Sequence, residues 1–377
     1  LRIVHVLTRF LRAGSEENTV ATALWQARAG HEVTILHGGE ADAAWGPMLA
    51  GQVTVEAVPA LVHPVRPMAD LRAVSALRAV YRQLRPDVIH THQSKAGIVG
   101  RIAADAVPGA TVVHGLHILP FEGQGWLARQ LFLAAEKAAA RRTDLMIAVS
   151  FGVAEAWRAT GIAGRGGVEV VPSGMALDTF REAVPPQDAG DLRGTGPVVV
   201  MLAAFEPRKR HQEFLRVWPT VLCAHPGARL LLAGTGPEEA EVRSAVVRAG
   251  MGDSVRFLGH RPDPGALLAM ADVSVLVSAR EGLPRVVVQS LAAGCPVVVA
   301  AIPGIGDLVD HGVNGLVTDA RDLSRTAVAL ARLLGHPDRL ARLRAGARAT
   351  DLSAWDIARL GPDTTGLCLR AMDARKR

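Results

Sequence analysis

Short apolar runs alternate with amphipathic stretches along nearly the whole chain, and this rhythm limits the fold more than any other feature. Leu1-Arg-Ile-Val-His-Val-Leu7, Glu32-Val-Thr-Ile-Leu36, Asp144-Leu-Met-Ile-Ala-Val149, Val198-Val-Val-Met-Leu202 and Leu230-Leu-Leu-Ala-Gly234 all read as strands. Residues at helical spacing lie between them. Strands that are apolar on both faces and separated by helices pack as parallel sheets covered on two sides. A chain of 377 residues exceeds one ordinary core. The rhythm breaks between about 182 and 196, where Pro185, Pro186, Gly190, Gly194 and Gly196 give a linker composition. The expectation is an α/β protein with two Rossmann-like domains, residues 1–183 and 197–355, joined by a linker at 184–196. Ligands of such folds bind at the carboxyl ends of the strands, here in a cleft that the two domains face.

Two loops carry most of the chemistry. Glu281-Gly-Leu-Pro-Arg precedes Val286, Val287, Leu291 and Ala292, an apolar helix face that Gly294 ends before the strand-like Pro296-Val-Val-Val299. Pro284 suits the first helical position. A glycine loop opening a helix offers backbone N–H groups and the positive end of the helix dipole to an anion. Glu281 cannot serve phosphate; it suits hydroxyl donors, as on a sugar. Near the N-terminus, Arg12-Ala-Gly14-Ser15-Glu-Glu opens a helix that Ser15 or a neighbour is expected to cap. That unit lacks Gly-x-Gly-x-x-Gly, which argues against a nicotinamide site.

Two further segments admit more than one reading. His90-Thr-His92 ends the strand Pro86–His92; it invites a metal, but no third ligand lies nearby in sequence, and strand-end histidines facing a cleft are the other reading. After Thr111–His117 and a loop with Gly123 and Gly125, residues 126–142 are helical. Trp126, Leu127, Leu131, Ala134, Ala135 and Ala138 form an apolar stripe beside Arg129, Lys137, Arg141 and Arg142. The stripe fits a core-facing helix with a basic rim, or a helix lying on a membrane surface.

Composition narrows the partners. The net charge is +6, but the basic residues are scattered and aromatics make up only 4%, so nucleic acid is not an expected partner. No apolar run reaches the ~20 residues a spanning helix needs. Three distant cysteines fit neither a disulfide framework nor a metal site, and the chain enters a strand without a signal-peptide pattern. A cytoplasmic protein is expected.

Taken in order, these motifs resemble the retaining glycosyltransferases of the GT-B fold, the group 1 or family 4 type. That family includes sucrose synthases and many bacterial mannosyl-, glucosyl- and N-acetylhexosaminyltransferases. The resemblance runs through the first βαβ unit, Pro86-Asp-Val-Ile-His-Thr-His, Val113-His-Gly-Leu-His117, Pro172-Ser-Gly-Met-Ala-Leu-Asp178, Ala233-Gly-Thr-Gly-Pro237 and the Glu281 stretch, with Gly304-Ile-Gly-Asp307 and His311-Gly-Val-Asn-Gly315 after it. It implies a nucleotide diphosphate sugar as co-substrate, a hydroxyl acceptor on a lipid-linked glycan or a small molecule, and no cofactor or metal. The basic net charge and the 126–142 helix add an expected peripheral contact with the inner membrane face for a lipid-linked acceptor, while a soluble acceptor fits as well.

Residue by residue, the resemblance implies that His117 contacts the transferred sugar, Lys209 neutralises the diphosphate, and Glu281 holds sugar hydroxyls. Gly14 lies beside diphosphate and acceptor. Arg208, His260, Arg261, Gly282, Leu283 and Gln289 complete the donor site. Residues 356–377 would return to the first domain. Three departures stand out. Gln289 replaces the family's second glutamate, so a neutral acceptor replaces a charged one. Ala204 falls on the family's basic residue five before the lysine, with Arg208 or Arg210 as substitutes. Gly361-Pro362 is expected to interrupt the returning segment. Other nucleotide-sugar chemistry on this fold, or a degenerate binding protein, are the competing readings.

Overall fold

The computed structural model describes residues 1–121 and 125–376, so the expected glycine loop at Gly123 lies outside the described residues. The chain divides into two compact units, residues 1–175 with 354–377, and residues 176–353. Each is built on one parallel sheet.

The first sheet contains β1 (Arg2–Leu7), β2 (Glu32–His37), β3 (Thr54–Ala57), β4 (Val88–His92), β5 (Thr111–Leu116), β6 (Leu145–Ala148) and β7 (Val168–Val170). Its strand order is β3-β2-β1-β4-β5-β6-β7. β4, β5 and β6 are buried along their whole length, as strands covered by helices on both faces must be. In register, His5 lies beside His90, and His92 beside Gly115.

The second sheet contains β8 (Val198–Leu202), β9 (Arg229–Ala233), β10 (Val255–Gly259), β11 (Val273–Leu276), β12 (Val297–Ala300) and β13 (Gly315–Thr318), in the order β10-β9-β8-β11-β12-β13. Trp218, Phe214 and Leu215 of the helix His211–Ala224 close its core with Val199, Met201 and Leu230. Chain order reverses between β1 and β4 in the first sheet and between β8 and β11 in the second. Such reversals open a crevice at the carboxyl ends of the strands.

Four sequence expectations need correction. The linker expected at 184–196 is part of the second unit. A short helix, Ala189–Arg193, lies there, Leu192 is buried, and Asp188 pairs with Arg261. Its prolines and glycines shape a folded connection, and the division falls at 175/176.

Ser15 does not cap the first helix. That helix, Gly14–Arg28, has Ala13 at its N-cap with no side-chain bond, and the Ser15 hydroxyl turns to Glu16.

Gly361-Pro362 does not break the last helix, which runs unbroken from Ile357 to Lys376. Gly361 lies against Trp25, and a β-carbon there would stand 2.4 Å from Trp25 Cγ. Close packing on the first helix thus outweighs the poor propensity of Gly and Pro. Arg375 near the helix end donates to Asp144, which also accepts from Val112 N.

The helix Trp126–Ala140 does not turn its apolar stripe to the core. Trp126, Leu127 and Leu131 are 74%, 64% and 65% exposed. The buried face is Glu136, Ala139 and Ala140, and Glu136 accepts from the fully buried Arg101 at 2.6 Å. Burying that ion pair fixes the rotation of the helix, since an unpaired Arg101 in the core would cost several kcal/mol.

Candidate active site

In the second unit the reversal point gathers charge. β8 leads to a 3₁₀ turn, Pro207–Lys209, and β11 leads to Glu281. Lys209 Nζ donates to Glu281 Oε1 at 2.5 Å, and Arg208 donates to Glu281 Oε2 at 2.8 Å and to Glu206 at 2.7 Å. Burial pulls the Lys209 ammonium below the ordinary lysine range, and Glu281 pushes it back. The turn ends at Arg210 with φ +59°, a left-handed conformation that starts the next helix abruptly. Arg210 itself bonds Ala320 O and Glu213, so Arg208 is the cation that joins Lys209 at Glu281 where Ala204 offers none.

The glycines of Gly234-Thr-Gly236 make room for this turn. A β-carbon on Gly236 would stand 2.6 Å from Phe205 O. Beyond Glu281, Gly282 and Pro284 are buried and Leu283 is half-buried. The helix begins at Arg285 with Pro284 as its N-cap, one residue earlier than the first helical position expected of it. Gln289, half-buried, lies on that helix. Arg261 is tied down by Asp188 and Asp263 in three bonds of 2.7–2.9 Å, which anchors the loop carrying His260.

In the first unit the reversal point gathers imidazoles. His5, His90, His92 and His117 line one face of the sheet, covered by the helices Gly14–Arg28 and Ile357–Lys376. His5 Nδ1 lies 3.0 Å from His92 Nε2, and His92 Nδ1 lies 3.1 Å from His117 Nε2. His5 Nε2 donates to Gln26 Oε1 at 2.8 Å. Burial holds His5 and His117 down to about 4 and His90 and His92 well below the usual range. All four are neutral near pH 7. A cavity of about 30 Å³ lies against His90, His92, Gly115, His117, Asn18 and Thr22.

The third nitrogen donor that the His-x-His pattern lacked in sequence is His5. With His90 and His92 it places ring nitrogens within 4.8 Å of one another. However, the inner nitrogens of His5 and His92 share a proton at 3.0 Å. Two imidazoles on a tetrahedral zinc, each ~2.0–2.1 Å from the ion, hold their nitrogens about 3.4 Å apart. His90 and His92 lie at the end of their strand beneath the helices and line the small cavity there.

Gly14 begins the first helix, and its loop is held by residues that sequence reasoning missed. Gln93, at φ +60° and ψ 163°, accepts from Thr8 N and Arg9 N and donates to Glu16 and Arg9 O. Side chains rarely adopt that backbone geometry, and the four bonds hold it there. Burial raises the Glu16 carboxyl above its usual range. His92-Gln93 at a strand end was the only signal in the sequence.

Comparison with known proteins agrees with this geometry. The model for glycosyl transferases group 1 matches residues 187–350, and that for glycosyltransferase family 4 matches residues 13–179. A D-inositol 3-phosphate glycosyltransferase of Acidothermus cellulolyticus is 30% identical over 80% of this chain and 71% of its own length. An Escherichia coli UDP-Gal:alpha-D-GlcNAc-diphosphoundecaprenol alpha-1,3-galactosyltransferase is 25% identical over 73% of each chain. The crystal structure of Anabaena HepE with UDP-glucose superposes with a TM-score of 0.79 at 25% identity, over 97% of this chain and 98% of that one. Sucrose-phosphate synthase of Thermosynechococcus elongatus gives a TM-score of 0.81 at 20% identity, over 99% of this chain and 100% of that one.

Proposed function

This chain belongs to the GT-B glycosyltransferases of group 1 and family 4, and on that premise we propose that it moves a sugar from a nucleotide diphosphate to an acceptor hydroxyl with retention of configuration. The observation that carries the reading is the Lys209–Glu281–Arg208 constellation at the strand-order reversal of the second sheet. The slow step breaks the anomeric carbon–oxygen bond, and negative charge collects on the departing diphosphate. Lys209 and Arg208, already placed by Glu281, meet that charge without reorganising. Glu281 keeps lone pairs for sugar hydroxyls. Gly282, Leu283, His260 and Gln289 complete the donor site of the second unit, and Gly14 and His117 are the candidate residues of the first unit. The diphosphate takes the acceptor proton, so no dedicated base is assigned. These cations and the helix dipole at Arg285 supply the positive charge, and the reading assigns neither a metal nor a cofactor.

HepE with UDP-glucose makes UDP the first nucleotide to test. The galactosyltransferase acting on a diphosphoundecaprenol sugar favours a lipid-linked acceptor. The exposed Trp126, Leu127 and Leu131 fit a peripheral helix at the inner membrane face, and no described helix is long and apolar enough to cross a membrane. Free cysteines at 223, 295 and 368 fit the cytoplasm.

The test is a thermal-shift screen against UDP, GDP, ADP, TDP and CDP and their sugar conjugates, because a ligand of the folded state raises the melting temperature. The responding conjugate is then turned over with and without EDTA, and the product's anomeric proton coupling is read by NMR. Retention in the presence of EDTA is the expected result. Inversion, or loss of turnover with EDTA, overturns the mechanism. No response to any nucleotide returns the degenerate reading raised by Gln289 and Ala204.

A further inference from the structure

The imidazoles of the first unit form a directed chain whose far end lies on two helices. Gln26 Nε2 donates to Thr365 Oγ1 at 3.1 Å, and the Gln26 carbonyl oxygen faces His5 Nε2 at 2.8 Å. That oxygen can only accept, so His5 carries its proton on Nε2. A neutral imidazole has one donor and one acceptor, and His5 Nδ1 is therefore a lone pair. It accepts from His92 Nε2–H at 3.0 Å. By the same rule His92 Nδ1 is a lone pair, and it accepts from His117 Nε2–H at 3.1 Å. Each ring passes on the tautomer of the last.

We propose that Gln26, His5 and His92 are positioning residues that fix His117 as its Nε2–H tautomer and leave His117 Nδ1 as a hydrogen-bond acceptor. The ligand group this selects is a neutral hydroxyl, which donates to Nδ1, and not an anionic oxygen, which would need a donor there. The role of His117 toward substrate rests on the function proposed above; the tautomer does not.

Three observations support the chain as a built feature. It crosses the sheet from β1 to the end of β5 and joins the first helix to the last, so no short segment accounts for it. Gly115 sits under it without a side chain; a β-carbon there would stand 2.9 Å from His92 Nδ1 and 3.0 Å from His117 Nε2, in the span the hydrogen bond occupies. Burial keeps the rings neutral, with His5 and His117 at about 4, and two neutral tautomers are what a directed chain requires.

The experiment reads the ring nitrogens of the intact protein labelled with ¹⁵N-histidine, by long-range ¹H–¹⁵N correlation near pH 7, with no donor or acceptor present. His117 is assigned from His117→Gln. The expected result is Nε2–H on His5, His92 and His117. Gln26→Met, close in size but unable to accept, is expected to give His117 as a mixture of tautomers. Gln26→Glu keeps the acceptor and is expected to restore a single Nε2–H form. Once a donor is known, Gln26→Met is expected to lower kcat on the order of tenfold with KM within about twofold, the scale of one misdirected hydrogen bond. An Nδ1–H His117 in the unaltered protein overturns the proposal. So does a His117 tautomer unmoved by Gln26→Met in a protein that still melts cooperatively. Zinc retained in stoichiometric amount and lost with His5→Gln also overturns it, because the metal would take the lone pairs the chain uses. Failure of the glycosyltransferase reading leaves the nitrogen spectrum unchanged, so the two are separable.

Discussion

At the reversal between β1 and β4 the side chains are imidazoles, and burial keeps them uncharged. At the reversal between β8 and β11 they are Lys209, Arg208, Glu206 and Glu281, joined by ion pairs. The topological position is the same and the electrostatics are opposite. Helices cover the imidazoles, while the Arg208 side chain is still 35% exposed. A charge survives where a partner and some solvent remain, and a buried ring gives up its proton instead. Neutral rings suit neutral hydroxyls, and the ionic cluster suits a departing diphosphate. The same topological position thus carries opposite polarity in the two units.

That contrast can be broken first by acid. His5, His90, His92, His114 and His117 all have pKa values lowered by burial, so the unfolded chain binds more protons than the folded one below about pH 6.5. Their stabilisation is complete above the unfolded value and is lost as pH falls toward 4, at about 1.4 kcal/mol per pH unit for each ring. Glu16 and Glu136, raised by burial, act in the opposite direction. The second unit has only His211 lowered in this way among the described residues. Hydrogen exchange followed by peptide at pH 7 and pH 5 is expected to show residues 1–175 opening before 176–353; equal loss of protection would remove the distinction.

The next largest effect is on rate. Lys209→Ala and Glu281→Ala are each expected to lower kcat/KM by at least ~10²-fold, the scale for one charge-stabilising group. Near-normal turnover in either would detach the ionic cluster from the chemistry. Gln289→Glu extends the charged half and is expected to tighten nucleotide binding about fivefold, as a charge-assisted bond replaces a neutral one. Calorimetry giving unchanged or weaker binding would place Gln289 away from the ribose. Smallest of all, Trp126→Ser with Leu131→Ser is expected to leave turnover of a soluble acceptor within about twofold, since neither side chain packs in the core. Co-sedimentation with anionic vesicles should fall. A large loss of soluble turnover would mean the helix serves the site directly.

The parallel sheets and the order of the loops were legible because each depends on local apolar runs and glycine spacing. Glu281 was singled out by its loop and Lys209 by the resemblance, although nothing local showed that they would pair. The imidazole chain was not. His5 and His90 are neighbours only through strand register, and Gln26 reaches His5 only because its helix packs on that face. Periodicity reports that residues 126–138 have an apolar side, but the Arg101–Glu136 pair decides which side is buried. Pro362 and Gly361 read as a break because propensity is local, while the contact with Trp25 is not. In each of these three misses, a partner distant in sequence outweighed the local signal.

The first unit is made of two pieces of chain, and ribosomes make chain in one direction. Residues 354–377 emerge only after the whole of 176–353, a delay of about 10–40 s at ~5–20 residues per second. Over that interval the second unit acquires its strands one by one, while Trp25, Gln26 and the histidine face still await the helix that covers them. The neutral half of the molecule is therefore sealed only after the second unit has been made.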